Sequence, residues 1–357
     1  MRRLEAYRVL PTASVTNTEG YWVDTENTRL LDIQCGGSAA INGYSQYELI
    51  ELMASKQKNV SFLRGNISQT CNDTEQLTET LGRLTGYEAV FYTVTGTSAV
   101  EATYNMLSDR KWITTIDGYH GSSYLAHILS DNGSVEIGDY DQLEEQLKDN
   151  PGAVFFTETV SWRNLDTWDF SILRGLCDRY DALLVVDDIA MCNWRGSNQL
   201  LTTSLADVVL MGKANTSGYA PLSVVLFNDK TCRLIKNEVI TYGHTFHPYL
   251  PGITAMQWTL DNTKVQTDNI EQRHKLIGDQ LLDLGYVKDI KTSGTYMIMQ
   301  VEFQPNYIDF YNVGLEHFTS SKQIMVNTMQ IADDTYFNQL ESRLCDLLET
   351  KLYGKSL

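Results

Sequence analysis

Lys213, Asp187 and the turn around Gly96 are the residues whose types and placement fit chemistry best. Lys213 closes the apolar run "ADVVLMGK" and is followed by the small polar residues "ANTSGYAP". A strand-end lysine of this kind is either a charge reaching for water or an amine held in a pocket. In a pocket, burial lowers its affinity for a proton and frees it to act as a nucleophile. Asp187 and Asp188 end "ALLVVDD", a run apolar enough to be buried on both faces, and a carboxylate there needs a cation or strong hydrogen bonds. The alternative is that one caps the next turn and the other is solvated. Gly96 and Thr97 lie in "TVTGTSAVE", between a strand pattern and a helix pattern, where open N–H groups and the helix dipole favour an anion. Tyr119 and His120 follow another strand, just before Gly121.

The elements that must position these residues read as strands alternating with helices. "EAVFYTV", "KWITTI", "GAVFFTE", "ALLVVDD", "ADVVLMGK" and "LSVVLF" have the short apolar texture of buried strands. "SAVEATYNMLSD", "YDQLEEQLKD" and "FSILRGLCDRYD" have helical periodicity, and Ser98 with Glu101 has the spacing of a capping box at the first of them. Strands separated by helices imply crossover connections and an α/β fold: a mostly parallel central sheet with helices on both faces. Ligands of such sheets bind beyond the carboxyl ends of the strands, where Asp187 and Lys213 fall. After residue 262 the texture changes to a long amphipathic helix, the strand "TYMIMQVEF" and a terminal helix "DDTYFNQLESRLCDLLETKL". The expected organisation is an N-terminal segment, residues 1–34, whose hairpin "GYWVDTENTRLLDI" joins a small α+β domain, a large domain of residues 35–262, and that small C-terminal domain, residues 263–357.

Composition narrows the partners. A formal charge of −17 opposes nucleic acid and anionic membrane surfaces, both of which favour clustered basic residues. The six cysteines are dispersed without a CxxC pair, which fits reduced thiols in a cytoplasmic setting. His244 and His247 form an HxxH, but no neighbouring ligand completes a metal set, so no metal is expected. "GKA" at residues 212–214 fails as a phosphate loop, because Ala214 stands where that motif needs a hydroxyl.

An anion cradle, a buried acid, an aromatic and a strand-end amine are together what pyridoxal 5′-phosphate requires for its phosphate, ring nitrogen, ring face and aldehyde. Five segments carry a resemblance to a known family. "TGTSAVE", "YHG", "LCDRYDALLVVDDIA", "MGKANTSGYAPLS" and "YGHTFHPYLP" are similar, in this order, to motifs of the class III (ornithine/omega) aminotransferases. These are pyridoxal-phosphate enzymes of fold type I, and the similarity spans about residues 20–262. The resemblance implies that Lys213 forms the Schiff base and afterwards shuttles a proton. It places Asp187 at the ring nitrogen, Ile189 beneath the ring and Tyr119 stacked upon it. Gly96 and Thr97 would cradle the phosphate. Thr245 would reach the phosphate of a neighbouring subunit, so the resemblance also implies a homodimer.

The sequence departs from the family where substrate is recognised. Ala190 stands in place of the glutamine of "DEVQ", and Gly37 in place of a pocket aromatic. "IMVNTMQIADD" lacks the arginine that grips a substrate carboxylate, while Arg163 replaces a glutamate in "ETVSWRN" and is the candidate to supply that charge instead. The expected activity is amino transfer between an amino donor and an oxo acid or aldehyde. An intramolecular aminomutase of the glutamate-1-semialdehyde type shares the fold and the lysine without needing that arginine. A non-catalytic binding protein is the third reading, and a scaffold without chemistry has no need of both Lys213 and Asp187.

Overall fold

A computed structural model of the protein describes residues 13–63, 69–116, 118, 134–190, 205–235, 242–317 and 322–354. The chain divides into two compact units, residues 38–41 with 46–267, and residues 1–37 with 42–45 and 268–357. The second unit begins with an antiparallel meander, β1 (Val15–Glu19), β2 (Trp22–Thr25) and β3 (Arg29–Asp32); β2 and β3 are the hairpin expected from "GYWVDTENTRLLDI".

The first unit is built on seven strands: β4 (Ala89–Thr93), β5 (Trp112–Thr115), β6 (Ser134–Val135), β7 (Val154–Glu158), β8 (Leu183–Asp188), β9 (Val208–Met211) and β10 (Ser223–Phe227). Their order across the sheet is β4-β10-β9-β8-β7-β5-β6. From β9 to β6 neighbours run parallel, whereas β10 is antiparallel to both β9 and β4. The exception follows from chain length: eleven residues between Met211 and Ser223 are too few for a parallel crossover and suffice for a return strand. All residues of β5, β7, β8, β9 and β10 are buried, so both sheet faces are covered. Ala99, Val100, Ala102 and Met106 of the helix Gly96–Met106 pack on the face that carries Phe156, Val185 and Leu210. The period-2 alternation sends Phe155, Leu184 and Val209 to the opposite face, where they are equally buried.

The helices start where short polar side chains occupy the first-turn N–H groups. Asp139 accepts from Gln142 N–H at the helix Tyr140–Asp149, and Asp169 accepts from Ser171 and Ile172 N–H at the helix Phe170–Arg179. Among the described residues no helix is long and apolar enough to cross a membrane, and no disulfide joins the described cysteines.

The other unit is completed by the helix Thr267–Asp283, β11 (Asp289–Ser293), β12 (Tyr296–Gln300), β13 (Leu315–Glu316), β14 (Gln323–Asn327) and the helix Asp334–Tyr353. Strands β11, β12 and β14 form an antiparallel sheet, while β13 pairs parallel with β3 and sets Glu316 opposite Asp32. Asp32 is buried and accepts hydrogen bonds of 2.7 Å from Gln34 N–H, Gly36 N–H and the Tyr44 hydroxyl. Burial, with Asp32 beside it, pushes the Glu316 carboxyl up to about 7. Burial also raises Asp32 itself, against the pull of its four donors, the Tyr44 hydroxyl and the backbone N–H groups of Gln34, Gly36 and Cys35.

A carboxyl raised in the folded state binds its proton more tightly there than in the unfolded chain. Its contribution is therefore complete below the ordinary carboxyl value and fades as pH climbs through about 7. The melting temperature is expected to fall between pH 5 and pH 8, and Glu316→Gln to flatten that slope. Thermal denaturation across this range checks it, and equal slopes in the two proteins would refute the assignment.

Candidate active site

The strand register builds the site along one edge of the seven-stranded sheet. Thr93 pairs with Ser223, Val224 with Met211, Met211 with Asp188, and Asp187 with Glu158. The carboxyl ends of β4, β9, β8 and β7 therefore open onto a common edge, and the turn at Gly96, the acids of β8 and Lys213 all follow directly from it. The expectation that these residues meet beyond the strand ends rests here on pairing rather than on pattern.

Ile189, the residue after β8, ties the turns together. A Cβ added at Gly96 would lie 2.6 Å from Ile189 Cγ2, and one added at Gly212 would lie 2.6 Å from Ser223 Oγ and 3.1 Å from Ile189 Cγ2. Only hydrogen at both positions lets the two turns close onto the branched side chain. The Ile189 N–H donates to Asp187 Oδ1 at 2.9 Å, which fixes the carboxylate immediately before it. Asp188 is held separately, its Oδ1 accepting from the Thr159 hydroxyl at 2.7 Å.

The helix at the anion turn begins three residues before the expected capping box. Thr95, not Ser98, is its N-cap: Ser98 N–H donates to Thr95 Oγ1 at 3.1 Å and Thr95 N–H donates to Ser98 Oγ at 2.9 Å. Ser98 and Glu101 satisfy the same sequence pattern, but β4 ends at Thr93 and the helix starts as soon as the chain has turned. Glu101 instead accepts from the Tyr242 hydroxyl at 2.7 Å. Because Ser98 N–H is taken by Thr95 Oγ1 and Ala99 N–H by the Thr95 carbonyl, Gly96 and Thr97 contribute the first-turn N–H groups that no helical carbonyl precedes. An anion placed there meets those groups and the positive end of the helix dipole.

Lys213 opens the 3₁₀ turn Lys213–Thr216 with φ 45°, left-handed backbone that a lysine adopts only at a cost of order 1–3 kcal/mol. Strain of this kind is retained where surrounding packing enforces it, and here Asn215, Thr216 and Ser217 behind it are all buried. Burial lowers the proton affinity of the Lys213 amine; the nearby charges of Asp187 and then Glu158 oppose that shift. The result is an amine drawn toward its neutral, nucleophilic form beside two acids.

Glu158 is the residue that sequence reading overlooked. It is 2 % exposed, in cross-strand register with Asp187, and it ends a strand as apolar as the one that made Asp187 conspicuous. The same signal, an acid closing a buried run, was present in "GAVFFTE". Arg163 is exposed, with its guanidinium 5.0 Å from the centre of the Trp162 ring. Thr245 lies exposed in the segment after Tyr242, whose hydroxyl also bonds His244 Nε2 at 2.9 Å. Tyr119 lies outside the described residues. Ala190 is buried next to Ile189, where a glutamine stands in the family.

The arrangement fits the group named from the sequence. A phosphate suits the Gly96–Thr97 turn, an apolar ring suits the Ile189 wedge, a ring nitrogen suits Asp187 and an aldehyde suits the Lys213 amine. Gly96→Ala is expected to destabilise the protein by about 1–3 kcal/mol through overpacking against Ile189. In Gly96→Ala with Ile189→Ala the two losses should fall short of adding. Denaturant unfolding of the double-mutant cycle measures this, and strict additivity would show that the two residues do not meet.

The profile described as Aminotransferase class-III matches residues 5–140. Ornithine aminotransferase of Plasmodium falciparum (isolate CDC / Honduras) is 23 % identical over 339 residues, covering 82 % of this chain and 79 % of its own length. Adenosylmethionine-8-amino-7-oxononanoate aminotransferase of Corynebacterium glutamicum is 23 % identical over 366 residues, covering 85 % of each. Among solved structures, the PMP-bound form of an aminotransferase from Vibrio fluvialis superposes with a TM-score of 0.86 at 16 % identity, over 99 % of this chain and 97 % of that one. The fold is that of these transaminases.

Proposed function

This chain is related to the class III aminotransferases, and we infer that it is a pyridoxal-phosphate-dependent aminotransferase that works through Lys213. The observation that carries the reading is the placing of a half-buried, deprotonation-prone lysine near a buried aspartate at the carboxyl edge of the sheet, beside an open helix N-terminus. Pyridoxal phosphate supplies an aldehyde that takes up amines and a ring that draws electrons from the adjoining carbon.

The chain's own residues do the rest. Gly96 and Thr97 N–H groups receive the phosphate. Asp187, fixed by the Ile189 N–H, would face the ring nitrogen and favour its protonated form. Ile189 bears on the ring from a fixed position, because two glycine turns pin it. Lys213 would hold the aldehyde, and its amine, drawn toward the neutral form, is the group placed to take up and return a proton at the substrate carbon. The small buried residues behind it keep the amine on the edge and exclude water.

Amino acids or amines and oxo acids or aldehydes are the substrate classes. The chain works as a homodimer in which Thr245 reaches the neighbouring subunit's phosphate; its exposure supports that role. Arg163 would receive a substrate carboxylate, and the ring-stacking role of Tyr119 is what the resemblance to the family implies. A second reading, the intramolecular aminomutase, is favoured by one observation: Gln323–Asn327 and the buried Thr328 and Gln330 that follow hold no arginine to grip an outgoing oxo acid.

Borohydride added to the protein with pyridoxal 5′-phosphate is expected to fix the cofactor on the peptide containing Lys213, as read by mass spectrometry. Lys213→Ala should carry no label and lose at least about a hundredfold in turnover. Amine donor alone should convert the bound cofactor to its amine form with release of an oxo product. Isomerisation of the donor without release would select the mutase, and labelling of another lysine would overturn both.

A further inference from the structure

Glu158 has no part in the scheme above, yet it occupies the most constrained position near Lys213. It pairs across parallel strands with Asp187, both side chains are buried, and the charges of both act on the Lys213 amine. Two carboxylates side by side in a low-dielectric strand layer repel each other, and each is stabilised by a cation that both can share. The Lys213 amine, on which both acids act, is the group that can supply it.

We propose that Glu158 is a positioning residue for the cofactor lysine: buried and in register with Asp187, it is the second carboxyl group at the strand edge that holds the Lys213 amine in place. The inference rests on the assignment of Lys213 as the reactive amine but concerns the free protein. With Asp187 alone, desolvation would carry the amine further toward the neutral form. Glu158 returns part of the lost proton affinity, so the amine can be neutral to attack and still regain a proton to hand on. Its carboxylate thus acts through the amine rather than on substrate.

The test uses the cofactor-free protein. The rate at which trinitrobenzenesulfonate modifies Lys213, followed by peptide mass spectrometry, is measured against pH for the wild type, Glu158→Gln and Glu158→Asp. Removing the negative charge should move the Glu158→Gln profile to lower pH by about half a unit or more. Modification of Lys213 at pH 7 should be correspondingly faster, and Glu158→Asp, which keeps the charge, should follow the wild type. Should Glu158→Gln not fold, Glu158→Ala is read in the same way. A merely structural role predicts changed stability with an unmoved profile, and coincident profiles would overturn the proposal. Failure of the cofactor to attach to Lys213 would instead sink the functional reading and leave this measurement standing.

Discussion

An amine withdrawn from water is tolerable only beside negative charge, and this requirement governs the larger unit. The charge comes from the ends of two parallel strands, where Asp187 and Glu158 stand side by side. Parallel pairing is what aligns them, since it points every carboxyl end the same way. Lys213 arrives on the neighbouring strand end and meets them at once. Its left-handed backbone shows that the position is imposed by the fold rather than chosen by the lysine.

The same edge carries the anion site, and Ile189 explains how the two remain in step. Its branched side chain fills the space that Cβ atoms on Gly96 and Gly212 would need. The phosphate turn and the lysine turn are therefore packed against a single residue whose own N–H secures the aspartate. Gly96, Gly212 and Asp187, the positions proposed to border phosphate, lysine and ring nitrogen, are held in fixed mutual positions by that residue. A cofactor held this way is oriented before any substrate arrives, which is where much of the advantage of positioning lies.

Much of this was legible in the sequence. Runs such as "ALLVVDD" and "YDQLEEQLKD" announce their elements because burial on two faces demands unbroken apolar strands and a one-sided helix demands spaced leucines; the helix Tyr140–Asp149 spans the very residues so read. Lys213, Asp187 and Gly96 were visible for their placement at the ends of such runs. What was not legible depends on pairing. Glu158 becomes notable only once register sets it against Asp187, and the two-residue β6 is too short to leave a pattern. The helix start was misplaced because Thr95–Ser98 and Ser98–Glu101 offer equivalent capping spacings, and the choice belongs to the length of the turn after β4.

Substrate recognition is written elsewhere, in residues that no strand end dictates. Ala190, which is buried, and Arg163, which is exposed, are two positions at which the sequence departs from the family's pattern. The account stands or falls on the edge itself. A crystal structure of the protein grown with pyridoxal 5′-phosphate is the most direct measurement. It should show continuous density from Lys213 Nζ to the cofactor, the ring nitrogen facing Asp187 and the phosphate against the Gly96–Thr97 turn. A cofactor bound with its nitrogen turned away from Asp187, or with Lys213 directed to solvent, would contradict it.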